Sequence, residues 1–197
     1  MAIAIAALGT AAPVAAMSVE RMKVAREQAF FVVDAAMTID TGRAVAFRAA
    51  TDYERLAEFN PAVRQSTRLG SRTSPEGRLR SGVRLCVAFF CKTVRQVMHY
   101  AERAPAALDM QVVPGEGDFK SGEIAWRFDA LDATHTRLLF KARIEPDFWV
   151  PPVIGDFLIA RKLRQQAEIT GRSIERLAAD YHAPSVQSGD DSPRSGR

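Results

Sequence analysis

The sequence predicts an α+β fold in which a curved antiparallel sheet of six to seven strands wraps around a long C-terminal helix, with two short helices after the first strand. Three observations predict it. Short runs of alternating apolar and polar residues recur between Glu27 and Glu145, the period of half-buried strands. Every run keeps one apolar face, and a sheet with one greasy face needs a cover. After Pro151-Pro152 the chain reaches Tyr181 without proline, and its apolar residues recur at spacings of three and four, which supplies that cover.

The elements follow in order. Residues 1–16 carry no charged side chain and are almost entirely apolar, then the chain turns polar at Ser18-Val19-Glu20-Arg21. Val14 and Ala16 occupy the minus-three and minus-one places of a signal-peptidase-like site, but no basic residue precedes the apolar run. The segment reads as a signal, or as an extension upstream of a start at Met17, and lies outside the folded domain either way. Residues 17–27 read as a lead-in to a domain spanning 28–182. Glu27 to Thr41 places Phe31, Val33, Ala35, Met37 and Ile39 on one face of a first strand. Gly42 opens a helix over Arg43 to Thr51, and Asp52 is placed to cap a second, Tyr53 to Phe59, which Pro61 stops.

From Val63 onward, turns at Ser74-Pro75-Glu76-Gly77, Arg103-Ala104-Pro105, Pro114-Gly115-Glu116-Gly117 and Asp129 to Thr134 separate the strands of a meander. Leu79, Ser81, Val83, Leu85, Val87 and Phe89 share one face opposite Arg78, Arg80 and Arg84. Leu108, Met110 and Val112 repeat the pattern, as do Ile124, Trp126 and Phe128, and then Leu138, Phe140, Ala142 and Ile144. The closing helix is about 45 Å long at 1.5 Å per residue. Its stripe contains Ala160, Leu163, Ala167, Thr170, Gly171, Ile174, Leu177, Ala178 and Tyr181, with Arg161, Lys162, Arg164, Gln165, Glu168 and Arg172 on the wet side. The small residues permit either close contact with the sheet or a vacant volume behind the helix. Residues 183–197 read as a disordered tail.

With 197 residues, 47% hydrophobic and 25% charged, the chain fits one globular domain. The net charge of +4 is common on proteins that bind no nucleic acid, and no nucleic-acid partner is expected. Cys86 and Cys91 are too few for a disulfide framework or a metal cluster. They read as two free thiols; in an exported chain they can bridge a tight hairpin, but Val87-Ala88-Phe89-Phe90 holds no turn residue and reads as strand.

The order strand, two short helices, six strands, long helix resembles the START-like superfamily, often labelled SRPBCC. Asp52-Tyr53-Glu54-Arg55-Leu56-Ala57-Glu58-Phe59-Asn60-Pro61, Gly117-Asp118-Phe119, Gly122-Glu123-Ile124-Ala125-Trp126 and Glu145-Pro146-Asp147-Phe148-Trp149-Val150-Pro151-Pro152 are similar to its polyketide cyclase/dehydrase and coenzyme-Q-binding branch. The resemblance spans about Gln28 to Ala179. It implies a helix-grip fold with a cavity for a lipid, an isoprenoid quinone or a polyketide. It implies less about chemistry, because fold does not settle function.

The residues add little chemistry. His99, His135 and His182 have no partner at metal-ligand spacing, and no metal site is expected. Gly115-Glu116-Gly117 joins two strands and precedes no helix, so it is a hairpin rather than a phosphate loop. No nucleophile elbow is present. Gln96, Tyr100 and Asp34 are the polar strand residues near the apolar face, with Asp34 on the wet side. No catalytic residue and no cofactor is assigned.

The reading is therefore a binder of a hydrophobic small molecule, with transport or presentation of it as the expected role. Burying about ten methylenes at about 0.8 kcal/mol each suffices for micromolar affinity before entropic losses. The expected cavity lining is Met98, Met110, Trp126, Phe128, Phe140, Ile159, Leu163 and Ala167. Each alone fits ordinary core packing. The expected cavity mouth is Phe148, Trp149, Ile154, Phe157, Leu158 and Arg161, with transient membrane contact there, because the first turns of the helix are apolar nearly all round. An aromatase/cyclase-type enzyme is the alternative, and a ribosome- or protein-interaction module the second. Localisation follows the N-terminal segment: periplasmic or secreted if it is a signal, otherwise cytoplasmic. Ligand identity and oligomeric state are not legible.

Overall fold

The computed structural model describes residues 17–71, 73–87, 90–151 and 154–182. The expectations for residues 1–16 and 183–197 lie outside them. Eight strands form one antiparallel sheet: β1 (Ser18–Glu27), β2 (Phe30–Ile39), β3 (Val63–Leu69), β4 (Glu76–Val87), β5 (Phe90–Arg103), β6 (Ala107–Val112), β7 (Phe119–Ala130) and β8 (Thr136–Pro146). Their order across the sheet is β1-β2-β8-β7-β6-β5-β4-β3. Helix α1 (Arg43–Ala50), a 3-10 turn (Tyr53–Arg55) and helix α2 (Leu56–Phe59) connect β2 to β3, and α3 (Asp156–His182) closes the fold. This is the predicted helix-grip architecture, with one strand more than the upper expectation.

The extra strand is β1, where a lead-in was expected. Val19, Met22 and Val24 turn toward the helix side, but an irregularity between Val19 and Arg21 interrupts the period of two that would reveal it. The turn that splits it from β2 carries Gln28 at φ 55°, a conformation normally signalled by glycine. The segment read as one strand from Glu27 to Thr41 is therefore the second half of a hairpin.

A second correction concerns the cysteines. Val87 pairs with Phe90 and Cys86 with Cys91, so β4 and β5 form a hairpin where continuous strand was expected. The two cysteines form a disulfide, not two free thiols. The cross-strand Cα separation of 4.1 Å places their sulfurs side by side on one sheet face.

The helix-facing rungs of the sheet are apolar by phase. Met37, Leu138 and Phe128 are neighbours across β2, β8 and β7, and none is more than 3% exposed. Phe128 meets Phe47 of α1 edge-on at 5.3 Å between centroids, and full burial of such a ring stabilises by about 2–3 kcal/mol. The C-terminal half of α3 presses Ile174 and Leu177 into the same cluster. Its flank lies against β1, and a Cβ on Gly171 would stand 2.8 Å from Met17 Cγ. At that position the small residue serves close approach rather than empty space.

Helix α3 begins at Asp156, later than the expected start at Pro151. Ile154 N donates to Pro151 O at 3.0 Å, ahead of the helix. The second short helix is also revised: a 3-10 turn leads into a single α-turn, and the Asp52 side chain makes no capping hydrogen bond. No helix among the described residues is long and apolar enough to cross a membrane.

Candidate ligand cavity

Between the α1–α2 segment, the sheet and α3 lies a cavity of about 190 Å³. Ala49, Ala50, Tyr53 and Leu56 form one wall, Leu79, Leu108, Met110 and Trp126 the sheet floor, and Thr170 and Ile174 the helix side. The sheet residues reach it because each sits on the helix-facing phase of its strand. Val63 and Asn60 close the end nearest β3, where Asn60 Nδ2 donates to Thr170 Oγ1 at 3.0 Å and ties the α2–β3 junction to α3. Polar groups on the lining are confined to Tyr53, Asn60 and Thr170. The broader depressions on the outer sheet face open to solvent and are edged by charged side chains such as Glu123, Arg127, Lys141 and Arg143.

A charged cluster stands behind Tyr53. Arg68, pointing inward from β3, donates to Thr51 O at 2.9 Å and pairs with Glu102 at 3.2 Å. Its guanidinium lies over the Tyr53 ring at 4.6 Å and the Tyr100 ring at 5.6 Å. The two tyrosine rings are 5.2 Å apart. Burial pushes the Tyr53 hydroxyl well above the ordinary phenol range, and the neighbouring Glu102 charge adds to it while Arg68 opposes it. Burial likewise raises the Glu102 carboxyl, against the pull of Tyr53 and Arg68. The Tyr53 hydroxyl faces Glu102 without forming a well-aligned hydrogen bond.

Of the residues expected to line a cavity, Met110 and Trp126 do so. Phe140 packs edge-on against Trp126 at 4.6 Å, and Ala167 packs against the core beside it. Met98 and Phe128 are each 1% exposed and belong to the packed interior, off the lining. Ile159 and Leu163 are half-buried on the first half of α3, also off the lining. The residues missed are those of the α1–α2 segment, Ala49, Ala50, Tyr53 and Leu56. Their apolar character was visible, but no periodicity says that a short connecting helix roofs a void.

The expected mouth divides. Trp149 and Phe157 are 70% and 76% exposed, Arg161 is exposed, and Leu158 is half-buried. Phe148 is half-buried against Phe119, with Lys92 over its ring at 4.7 Å. Ile154 is buried, because it sits in the turn before α3 rather than on the helix, and takes no part in a mouth. These residues stand at the start of α3, whereas the cavity adjoins its second half at Thr170 and Ile174.

Over residues 41–169 the sequence matches the family described as polyketide cyclase / dehydrase and lipid transport. A search of curated proteins gives no significant match. Among solved structures, the fold is similar to the Zhui aromatase/cyclase from Streptomyces sp. R1128, with TM-score 0.61 and 12% identity over 80% of this chain and 98% of that one. It is similar to a START superfamily protein from Mycobacterium smegmatis, with TM-score 0.58 and 16% identity over 76% and 98% of the two chains. It is also similar to a STAR-related lipid transfer protein from Xanthomonas axonopodis, with TM-score 0.56 and 13% identity over 80% and 98%. At these identities the likeness is one of fold.

Proposed function

The chain belongs to the polyketide cyclase/dehydrase and lipid transport family, and from that premise we propose that it binds a hydrophobic small molecule in the cavity beneath α3 and carries or presents it. The observation that supports this reading is the lining itself: apolar on nearly every side, set between the α1–α2 segment, the sheet and α3, with polar side chains at Tyr53, Asn60 and Thr170 alone. Native mass spectrometry of freshly purified protein, followed by organic extraction, tests it. A bound hydrophobic species that extraction removes is the expected result. A consistently empty protein that also fails to bind N-phenyl-1-naphthylamine would sink it.

A second reading, cyclase- or dehydrase-type catalysis on a polyketide, is favoured by one observation. Tyr53 lines the cavity, and its buried hydroxyl makes no well-aligned hydrogen bond to the Glu102 it faces, which leaves a phenol donor that a rotation of the side chain would offer to a ligand carbonyl. Turnover of a poly-β-ketone that disappears in Tyr53→Phe, with ligand binding retained, would decide for the enzyme.

Exchange of the ligand at a membrane is supported by the exposed Trp149 and Phe157 next to the basic residues of α3. On the helix, Phe157, Arg161 and Arg164 recur at spacings of four and three and share one outer stripe. The Cys86–Cys91 bridge supports an oxidising compartment.

A further inference from the structure

We propose that the cavity continues into a polar subsite built for hydroxyl groups, so that the ligand is a hydroxylated ring compound rather than a bare hydrocarbon chain; this rests on the cavity-binding reading above. The subsite is a single rung of the sheet. Ser66 of β3 pairs with Ser81 of β4, and Ser81 with Gln96 of β5, all three on the helix-facing phase. Neighbouring strands stand about 4.8 Å apart, so these side chains form one contiguous polar row on a face that is otherwise mostly apolar. The adjoining rung runs from Arg68 through Leu79 to Met98, and Leu79 lines the cavity.

Helix α3 adds a fourth group. Gln166 lies one turn before Thr170, on the flank that Asn60 ties to the start of β3. Ser66 Oγ, Gln96 Oε1 and Gln166 Oε1 are all buried without a hydrogen-bond partner in the protein. Ser66 as a whole is 9% exposed. Buried polar atoms are nearly always satisfied, so these three, two on the rung beside the cavity-lining Leu79 and one on α3 a turn before the cavity-lining Thr170, are open to a partner from outside the chain.

The chemistry of the set selects that partner. The two amide oxygens only accept hydrogen bonds, so they need a donor, and a serine hydroxyl can give or take. The Gln96 amide nitrogen is turned toward Met98 Sδ at 3.5 Å, which leaves the oxygen as its free end. An anionic headgroup would meet acceptors here. The nearest cation on the sheet, Arg68, is already engaged with Glu102 and Thr51 O. Neutral hydroxyls on a flat apolar skeleton satisfy both the rung and the cavity, whereas a carboxylate or phosphate offers the amide oxygens no donor and brings a charge that is costly to bury against the apolar lining.

Calorimetric titration of the full chain with naphthalene, 2,7-dihydroxynaphthalene and 2-naphthoate tests this. The diol is expected to bind at least about tenfold more tightly than naphthalene, the gain of roughly one to two well-placed hydrogen bonds, with 2-naphthoate weakest. Gln96→Leu with Gln166→Leu should abolish the diol's advantage and leave naphthalene affinity within about threefold. Ser66→Ala is the smaller change that carries the same comparison if the double variant does not fold. Equal affinity of diol and naphthalene, a preference for 2-naphthoate, or an advantage that survives the double variant would overturn the subsite and leave the cavity reading standing. Failure of all three probes on the unaltered protein would remove the cavity reading and the subsite with it.

Discussion

Ala50→Leu tests whether the volume beneath α1 is the binding site. Ala50 is the last residue of α1, lines the cavity and is only partly buried. The substitution adds three carbons toward a space of about 190 Å³. At about 0.8 kcal/mol per buried methylene, less about 0.5–1 kcal/mol of leucine rotamer entropy, the gain is about 1.5–2 kcal/mol. The ceiling is set by the void itself, about 4.5 kcal/mol at about 24 cal/mol per Å³. Leucine is nearly as good a helix former as alanine, so the backbone does not oppose the change. Urea denaturation should therefore show a higher midpoint at unchanged slope. The same variant should bind N-phenyl-1-naphthylamine at least about tenfold more weakly, because side chain and probe compete for one volume. A higher midpoint with unchanged probe affinity would place the ligand elsewhere. A lower midpoint would show that the roof has no room for a larger side chain, and the cavity argument would fail at its first step.

Three other outcomes follow from the same structure. Reducing the Cys86–Cys91 bridge, which closes a loop across a sequence separation of five, should cost about 2 kcal/mol in denaturation experiments with and without reductant. Trp149→Ala combined with Phe157→Ser should lower flotation with anionic liposomes at least about fivefold while leaving thermal stability nearly unchanged, since both side chains are mostly in solvent. On the acid side, the Arg95 backbone N–H and then Lys92 hold the Asp118 carboxyl below its usual range, and the Thr134 N–H and His135 bring Asp132 down to about 2. Carboxylates lowered in the folded state contribute stability that is present above about pH 4 and lost as pH falls through the folded values. Asp118→Asn should be less stable at neutral pH and should show a flatter decline below pH 4; an unchanged decline would exclude this carboxylate.

The strand phases were legible because a sheet with one buried face writes its period into the residue order: Ile124, Trp126 and Phe128 face the helix as read. What broke the reading was local. The irregularity beside Val19 hid β1, and a turn with Gln28 at positive φ gave no glycine to mark it. The β4–β5 reversal at Val87 and Phe90 likewise had no glycine to mark it, so the disulfide stood only as the alternative for an exported chain. The cavity was legible only in part, since phase tells which residues face inward but not which of them the helix covers. Met98 and Met110 face inward alike, yet Met98 is packed shut and Met110 borders space, a difference set by where α1 and α3 cross the sheet. Ser81 was visible on the inward face, but its neighbours Ser66 and Gln96 are joined to it only by register, which no single strand contains.

The size of the cavity has a dynamic consequence. About 190 Å³ is below the range of roughly 300–1,000 Å³ usual for small-molecule sites, so a ligand larger than one ring enters only if part of the cover moves. The second half of α3 is a poor candidate, with Ile174 and Leu177 locked in the core. The segment from Tyr53 to Asn60 is a better one. It is a 3-10 turn and a single helical turn without side-chain caps, and its ties to the rest include the Asn60–Thr170 hydrogen bond and the stacking of Arg68 on Tyr53. Amides of residues 53–60 should therefore exchange with solvent faster than those of β4 through β8, and saturating ligand should slow them. Exchange that ligand changes only around Trp149 and Phe157 would move the door to the start of α3. Fast exchange at 53–60 that ligand leaves untouched would mean the roof is loose for reasons unconnected with binding.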